Sequence, residues 1–161
     1  MSITNTSLEL AVFQQSIIKE SEMGTKENKA IVKQWVEGAN KLDKSALELL
    51  ANNFVYHVMW HNPPMEVNRE FIKKFFDNPQ PLSDMSLSIG DIIAEGDKVV
   101  ILETVTGTHT GNMMNIEPTG KTVTHHRFTI YRIEERKIAK GWGLDNRLGI
   151  FQQLGITPPI E

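Results

Sequence analysis

The sequence contains no cysteine and no apolar run longer than a few residues. Without cysteine the chain has no disulfide framework and no thiolate for zinc binding or nucleophilic attack, so nothing indicates an oxidising compartment and we expect a cytoplasmic protein. A membrane span requires roughly 20 apolar residues, and a signal peptide requires a basic start followed by an apolar segment. The sequence predicts neither feature, so we expect no membrane association.

The chain also lacks a basic region. Its formal net charge is −3, and lysine and arginine do not alternate with aromatic residues in any segment. Nucleic-acid backbones are bound by clustered positive charge, so we expect no nucleic-acid partner. A length of 161 residues with 40% hydrophobic positions fits one globular domain, which can bury roughly 70% of the surface exposed by the unfolded chain.

Apolar residues at helical spacing predict three helices in the first half of the domain. The first is expected to begin at the N-cap residue Thr25, the second after Asp43, and the third after Asn68 with its end at Pro79. Residues 1–24 are polar and irregular but contain apolar residues at near-helical spacing. We therefore predict an N-terminal extension over 1–24, either a flexible arm or an extra helix, ahead of a single domain at 25–161.

After Pro81 the hydrophobic period changes from 3.6 to 2. Alternating and β-branched residues predict four antiparallel strands, and the stretch "NFVYHV" predicts an additional short strand. Helices followed by antiparallel strands are typical of an α+β domain with the helices packed on one face of a curved sheet.

Three stretches carry a resemblance to a known family: "TGTHTGNMMNIEPTGKTV", "YRIEERKI" and "GWGLDNRLGIFQQLG". They resemble the SnoaL-like polyketide cyclases, also called ester cyclases, of the nuclear transport factor 2 superfamily, over about residues 25–157. The resemblance implies a cone-shaped α+β fold in which three N-terminal helices pack on a strongly curved, mainly antiparallel sheet and enclose an apolar cavity. It also implies homodimers and cofactor-free enzymes that act on small carbonyl compounds.

The family's acid–base residue is an Asp four residues after the strand tryptophan, and this chain has Asn146 there, counted from Trp142. An amide cannot accept the proton, but it can donate a hydrogen bond to a carbonyl or enolate oxygen. Strand parity places Asn146 on the same face as Trp142 and Leu144, and Asp145 on the other face unless a bulge turns it inward. The arginine that the family often carries in mid-strand is replaced by Leu102.

Histidines are the other candidates for proton transfer, because their pKa near about 6.5 suits acid–base chemistry at neutral pH. His126 shares parity with Phe128 and Ile130, so we expect it to point into the cavity and His125 to face elsewhere. His57 precedes a proline-containing loop that, by the resemblance, lines the mouth. The predicted catalytic candidates are His126, Asn146, Asp145 and His57.

Loop residues Trp60 and Met114 are large and apolar, so they are candidates for a lid over a lipophilic ligand or for packing against a dimer partner. The predicted substrate-binding residues are Trp142, Leu144, Phe128, Ile130, Trp60, Leu102 and Met114. The spacing of the histidines indicates no metal site, and no glycine-rich nucleotide-binding motif occurs, so we expect no metal and no cofactor.

These residues favour a cofactor-free cyclase or isomerase acting on a small lipophilic carbonyl compound, polyketide-like or terpenoid, through proton transfer and enolate stabilisation. The same fold also hosts hydrolases, dehydratases and domains without catalytic activity. The alternative is therefore a non-catalytic binding or dimerisation module that kept the cone, which the missing Asp and Arg would favour.

Overall fold

A computed structural model describes residues 3–78 and 80–156. These residues form three α-helices, one short 3₁₀ helix and six β-strands. The elements are α1 (Ile3–Asn40), the 3₁₀ helix (Lys44–Leu49), β1 (Leu50–Val58), β2 (Met65–Asn68), α2 (Arg69–Asp77), β3 (Leu82–Glu95), β4 (Lys98–His109), β5 (Thr122–Glu134), β6 (Lys137–Asp145) and α3 (Arg147–Leu154). None of the described helices is apolar enough over a sufficient length to cross a membrane.

The six strands form one sheet in the order β2-β1-β6-β5-β4-β3. Neighbouring strands are antiparallel except β1 and β6, which are parallel. The register of β3 against β4 shifts between Ser83 and Ser86 and again between Ile89 and Asp91. Such bulges bend a strand, so the sheet curves around the helices packed on its inner face without closing into a barrel. The α+β architecture predicted from the sequence is confirmed.

The core lies between α1 and this inner face. Ile31, Val32, Trp35 and Val36 form the buried side of α1, at the helical spacing that predicted it. They pack with inward residues of the sheet, which include Val99, Ile101, Tyr131, Ile133 and Ile138. Burial of this apolar surface supplies most of the driving force for folding.

Several element boundaries differ from the sequence-based expectation. The predicted helix start at Thr25 is wrong, because α1 is continuous from Ile3 to Asn40. Asp43 caps the second helix as predicted, with its carboxylate accepting a hydrogen bond from the Ser45 backbone N–H (2.9 Å), but this helix is 3₁₀ and ends at Leu49. Leu50 already belongs to β1, because strand pairing with β6 overrides its helical spacing.

Asn68 caps α2 as predicted, accepting from the Phe71 N–H at 3.0 Å. Of the side chains expected to point inward from this helix, only Phe76 is buried, whereas Phe71 and Phe75 remain partly open to solvent. Pro79, expected to end the helix, lies outside the described residues. The strand β2 had not been predicted, since four residues are too short for a periodic signal.

Candidate active site

A cavity of about 310 Å³ lies between α1, α2 and the inner face of the sheet. Most of its wall is apolar, with contributions from Phe54, Val58, Val67, Ile72, Phe76, Leu87 and Val105. Met65, Phe71 and Phe75 also line it and are between 38% and 50% exposed, so they mark its mouth. A space of this size and composition suits a small lipophilic molecule.

The polar part of the wall is a row of three charged residues on adjacent strands. Glu103 on β4 is paired with Arg127 on β5, and Arg127 is paired with Asp145 on β6. Directly opposed residues have neighbouring side chains on the same face of a sheet. All three residues line the cavity, so the sheet itself arranges two carboxylates on either side of one guanidinium.

Glu103 is fully buried, and its carboxylate is held on one side. Its Oε2 accepts hydrogen bonds from Arg127 Nε at 2.8 Å and from Thr129 Oγ1 at 3.3 Å. Burial lowers the pKa of the Arg127 guanidinium, but the charge and hydrogen bond of Glu103, with contributions from Tyr56 and Tyr131, more than offset this, so the net direction is upward. Arg127 therefore stays charged, and its side chain, which is 26% exposed, lines the cavity.

Asp145 is the carboxylate nearest the open part of the site, and its side chain is 22% exposed. Its Oδ1 lies 3.5 Å from His125 Nε2. Burial raises the pKa of this carboxyl, but hydrogen bonding from His125, the charge of Arg127 and a hydrogen bond from Trp60 together lower it below its usual value of 3.8. Asp145 is thus ionised at neutral pH and can accept a proton.

Two glycines of β6 make room for a tyrosine in this wall. Tyr56 of β1 lies over Gly141 and Gly143, and a Cβ at Gly143 would overlap the Tyr56 hydroxyl. Burial raises the pKa of Tyr56, so the phenol remains protonated and can donate a hydrogen bond. Tyr131, whose hydroxyl accepts from Trp35 Nε1 at 3.2 Å, completes the buried polar floor.

Arg147, the first residue of α3, joins two loops to this helix beside the cavity. Its guanidinium lies 3.5 Å from the ring centroid of Trp60, and its Nε donates to Met114 Sδ at 2.8 Å. A cation over an indole face is an attractive electrostatic contact. Arg147 therefore holds the Trp60 side chain in place. Trp60 in turn lines the cavity and donates a hydrogen bond that lowers the pKa of Asp145. We call Arg147, Trp60 and Met114 the Arg147 cluster.

The strand face that we expected to line the cavity is the outer face of the sheet. This expectation is wrong for His126, Phe128, Ile130, Trp142, Leu144 and Leu102, whose neighbours in sequence point inward instead. The prediction correctly grouped the residues that share a face of each strand, but it assigned the more apolar face to the cavity. The helices cover the opposite face, which carries the charged row. Phe128 and Leu144 are accordingly 57% and 53% exposed.

Three more candidates are placed differently from the expectation. Asn146 lies outside the cavity and caps α3, with Oδ1 accepting from the Gly149 N–H at 3.1 Å. His57 lies on the outer face, stacked on Trp142 at 5.6 Å between ring centroids and 3.4 Å from Glu66 Oε1. Met114 is not among the cavity-lining residues and instead contacts Arg147. Trp60 and Asp145 do line the cavity, and Asp145 needs no bulge to do so.

Sequence reasoning missed Glu103, Arg127, Tyr56, Tyr131 and the inward position of His125. The sequence did contain a signal for these residues, because charged and polar aromatic residues occur at alternate positions of β4 and β5, among β-branched ones. Charged residues in the middle of a strand are rarely buried unless they are paired, so this pattern indicates a paired, buried polar site. Within residues 3–78 and 80–156, no group of three or more His, Cys, Asp or Glu side chains is arranged to hold a metal ion.

Helices packed on one curved sheet around a cavity with a polar floor define the cone-shaped fold of the nuclear transport factor 2 superfamily. The family model of the SnoaL-like polyketide cyclases matches residues 29–154. The chain therefore belongs to the SnoaL-like polyketide cyclase family. A search of curated proteins gave no match.

Solved structures of similar fold include proteins of Streptomyces and Jannaschia. AclR of Streptomyces galilaeus, a proposed hydroxylase, is 27% identical, with a TM-score of 0.71 over 85% of this chain and 90% of its own. IdmH of Streptomyces antibioticus, a proposed polyketide cyclase, is 25% identical, with a TM-score of 0.69 over 80% of this chain and 99% of its own. A SnoaL-like protein of Jannaschia is 15% identical with a TM-score of 0.71 over 83% and 95% of the two chains, which shows the common fold alone.

Proposed function

We propose that this protein is a cofactor-free cyclase or isomerase of a small lipophilic carbonyl compound, polyketide-like or terpenoid, with Asp145 as the group that moves the proton. The observation that carries the proposal is the position of the Asp145 carboxylate at the wall of an apolar cavity, directly opposite Arg127. Membership of the SnoaL-like family supports a cyclase or isomerase type of role. The catalytic candidates His126, His57 and Asn146 are not retained, because they lie outside the cavity.

In the proposed reaction, Asp145 accepts a proton from a carbon next to a carbonyl group. The C–H electron pair moves toward the carbonyl oxygen, and the enolate oxygen accepts hydrogen bonds from the Arg127 Nη groups and the Tyr56 hydroxyl. For cyclisation, the enolate carbon attacks a second carbonyl of the same molecule, and the resulting alkoxide takes the proton back from Asp145. For isomerisation, Asp145 returns the proton to a different carbon. Either product has the mass of the substrate.

A carboxylate with a low pKa is a weak base, so the environment has to compensate. A ligand that fills the cavity removes water from Asp145, and desolvation acts in the direction that raises a carboxyl pKa. Preorganised donors aimed at the enolate oxygen typically contribute 10²- to 10³-fold in rate. Arg127, fixed by Glu103, supplies such a donor without having to reorganise during the reaction.

The alternative function is a binding or dimerisation module without catalysis. It was favoured by the absence of the family's Asp and Arg from their usual sequence positions. Asp145 supplies a carboxylate from the next position in the chain, and Arg127 supplies a guanidinium from the adjacent strand β5, which supports chemistry over binding alone.

We also propose that the chain forms a homodimer through the outer face of its sheet. Phe128, Ile130 and Leu144 on β5 and β6 expose a contiguous apolar surface there. Exposed apolar patches of this kind are typical of interaction sites. A second copy of the same face is the simplest cover, because a two-fold axis pairs identical surfaces.

The proposed activity can be tested with tetralone and other enolisable bicyclic ketones, together with any copurifying ligand that mass spectrometry identifies. We expect the protein to catalyse exchange of the acidic C–H for deuterium in heavy water, with no change of carbon skeleton in the simple ketones. A product heavier by one oxygen atom would indicate a hydroxylase instead. Tight binding without exchange in any probe would favour the binding module.

A further inference from the structure

The second carboxylate of the charged row has an oxygen that the proposed reaction does not use. Glu103 Oε2 accepts from Arg127 and Thr129, whereas Oε1 is buried and has no hydrogen-bond partner among the described residues. A buried carboxylate oxygen without a donor loses its hydration and gains nothing in return. Glu103 also lines the cavity, so the missing donor can come from a molecule bound there.

We propose that Glu103 Oε1 is a subsite for a hydroxyl group of the ligand, and that the substrate is a neutral, hydroxyl-bearing carbonyl compound such as a phenol or an alcohol. The inference rests on the proposed function only in placing the carbonyl end of the ligand at Asp145 and Arg127. A hydroxyl donates to the bare oxygen without adding charge to the site.

The geometry of the sheet sets the length of this ligand. Glu103 and Asp145 lie on β4 and β6, on either side of β5. Adjacent strands are about 4.8 Å apart, so the two backbone positions are separated by roughly 10 Å. A ligand that places an acidic C–H at Asp145 and a hydroxyl at Glu103 therefore needs about two fused rings between them, which fits an apolar cavity of about 310 Å³.

The charges of the site exclude an anionic group at this position. Arg127 is the one cation of the row and is already flanked by the carboxylates of Glu103 and Asp145. A ligand carboxylate at Glu103 would bring a third negative charge into a site with little water, where repulsion is only weakly screened. The subsite thus distinguishes a hydroxyl from both a carboxylate and an ether, since an ether has no proton to donate.

The experiment measures dissociation constants by calorimetry for tetralones that carry a hydroxyl, a methyl or a methoxy group at the ring position farthest from the ketone. Methyl matches the hydroxyl in size but forms no hydrogen bond. In the wild type we expect the hydroxyl compound to bind about tenfold tighter than the methyl compound, because a hydrogen bond to a charged group is strong. The methoxy compound should bind more weakly than the hydroxyl compound by at least this factor.

Glu103→Gln should change these affinities in opposite directions. The amide oxygen has to face Arg127 and Thr129, which are donors, so the amide NH₂ takes the position of Oε1 and becomes a donor itself. Binding of the hydroxyl compound should weaken, and binding of the methoxy compound should tighten by several fold. Glu95→Gln, the same change at an exposed residue of β3, is the control and should leave all three affinities unchanged.

Equal binding of the hydroxyl and methyl compounds by the wild type would overturn the proposal, and this result does not depend on the folding of any variant. Parallel shifts of the hydroxyl and methoxy affinities in Glu103→Gln would also overturn it. Because affinity is measured rather than turnover, the subsite can be demonstrated even if no ketone is exchanged. Proton exchange without a preference for the hydroxyl compound would support the proposed function but rule out the hydroxyl subsite.

Discussion

Asp145 and Asn146 are neighbours in the chain but belong to different parts of the structure. Asp145 is the last residue of β6 and faces the cavity, whereas Asn146 caps α3. The family pattern draws attention to Asn146, because it counts residues from Trp142. The count does not consider which face of the strand is covered, and this alone determines which side chain a ligand meets.

Substitution of Asn146 distinguishes a role in capping α3 from a role in ligand binding. Asn146→Ala should lower the free energy of unfolding by about 1 kcal/mol, the usual cost of losing an N-cap, and leave ligand affinity unchanged. Asn146→Asp should retain the cap, because a carboxylate also accepts from the Gly149 N–H and favours the helix N-terminus. Denaturant unfolding and calorimetric binding on both variants test this. A loss of affinity in Asn146→Ala at unchanged stability would place Asn146 in the site after all.

The acid limb of the pH–rate profile should report the ionisation of Asp145. Its folded-state pKa lies below 3.8, so the ionised form stabilises the fold above that pH, and this contribution is lost as the pH falls through the folded pKa. Deuterium exchange, measured as kcat/KM against pH, should therefore stay high down to pH 3.8 and decline only below it. A decline centred between pH 6 and 7 would instead identify a histidine as the base.

The close contact between Gly143 and Tyr56 predicts that substitutions at these two positions have strongly non-additive effects on stability. Gly143→Ala should destabilise the protein by about 1 to 3 kcal/mol, because the new Cβ overlaps the Tyr56 hydroxyl. In the background of Tyr56→Leu, which lacks the overlapping atoms, the same change should cost much less. A double-mutant cycle from unfolding data measures the difference. Additive effects would mean that Tyr56 does not occupy the space above β6.

At the scale of elements, the sequence predicts the strands well but not their faces. In β4 the inward residues Val99 and Ile101 alternate with Val100 and Leu102, so both faces are apolar and the pattern cannot show which one the helices cover. The part of α1 after Thr25 and the Asp43 and Asn68 caps were predictable because they depend on local spacing and capping chemistry. The burial of Glu103 and Arg127 depends on contacts across three strands, which a local pattern does not contain.

The Arg147 cluster connects the start of α3 to two loops and positions Trp60. Arg147→Met removes the cation–π contact, so we expect the exchange rate to fall about threefold to tenfold. The acid limb of the rate profile should also move up toward pH 3.8, because the Trp60 hydrogen bond no longer lowers the pKa of Asp145. Arg147→Lys retains a cation, so its exchange rate and acid limb should lie between those of the wild type and Arg147→Met. A slower rate with an unmoved acid limb would contradict a positioning role.

At the scale of the whole molecule, the apolar outer face predicts a dimer. Sedimentation at micromolar concentration should give twice the 18.3 kDa mass of the chain. Phe128→Asp places a charge in the centre of the proposed interface and should produce a monomer, whereas Gln34→Asp on the exposed side of α1 should not. A wild type that sediments as a monomer at these concentrations would show that the outer face has another role.

The measurement that tests the central claim most directly is deuterium exchange into an enolisable ketone by wild type, Asp145→Asn and Asp91→Asn. Asparagine keeps the shape of Asp145 but cannot accept the proton, so exchange should fall by about 10²-fold or more while ketone affinity is retained. Asp91 is an exposed residue of β3, so Asp91→Asn should match the wild type. An Asp145→Asn variant that is folded, binds the ketone and exchanges its proton at the wild-type rate would contradict the account.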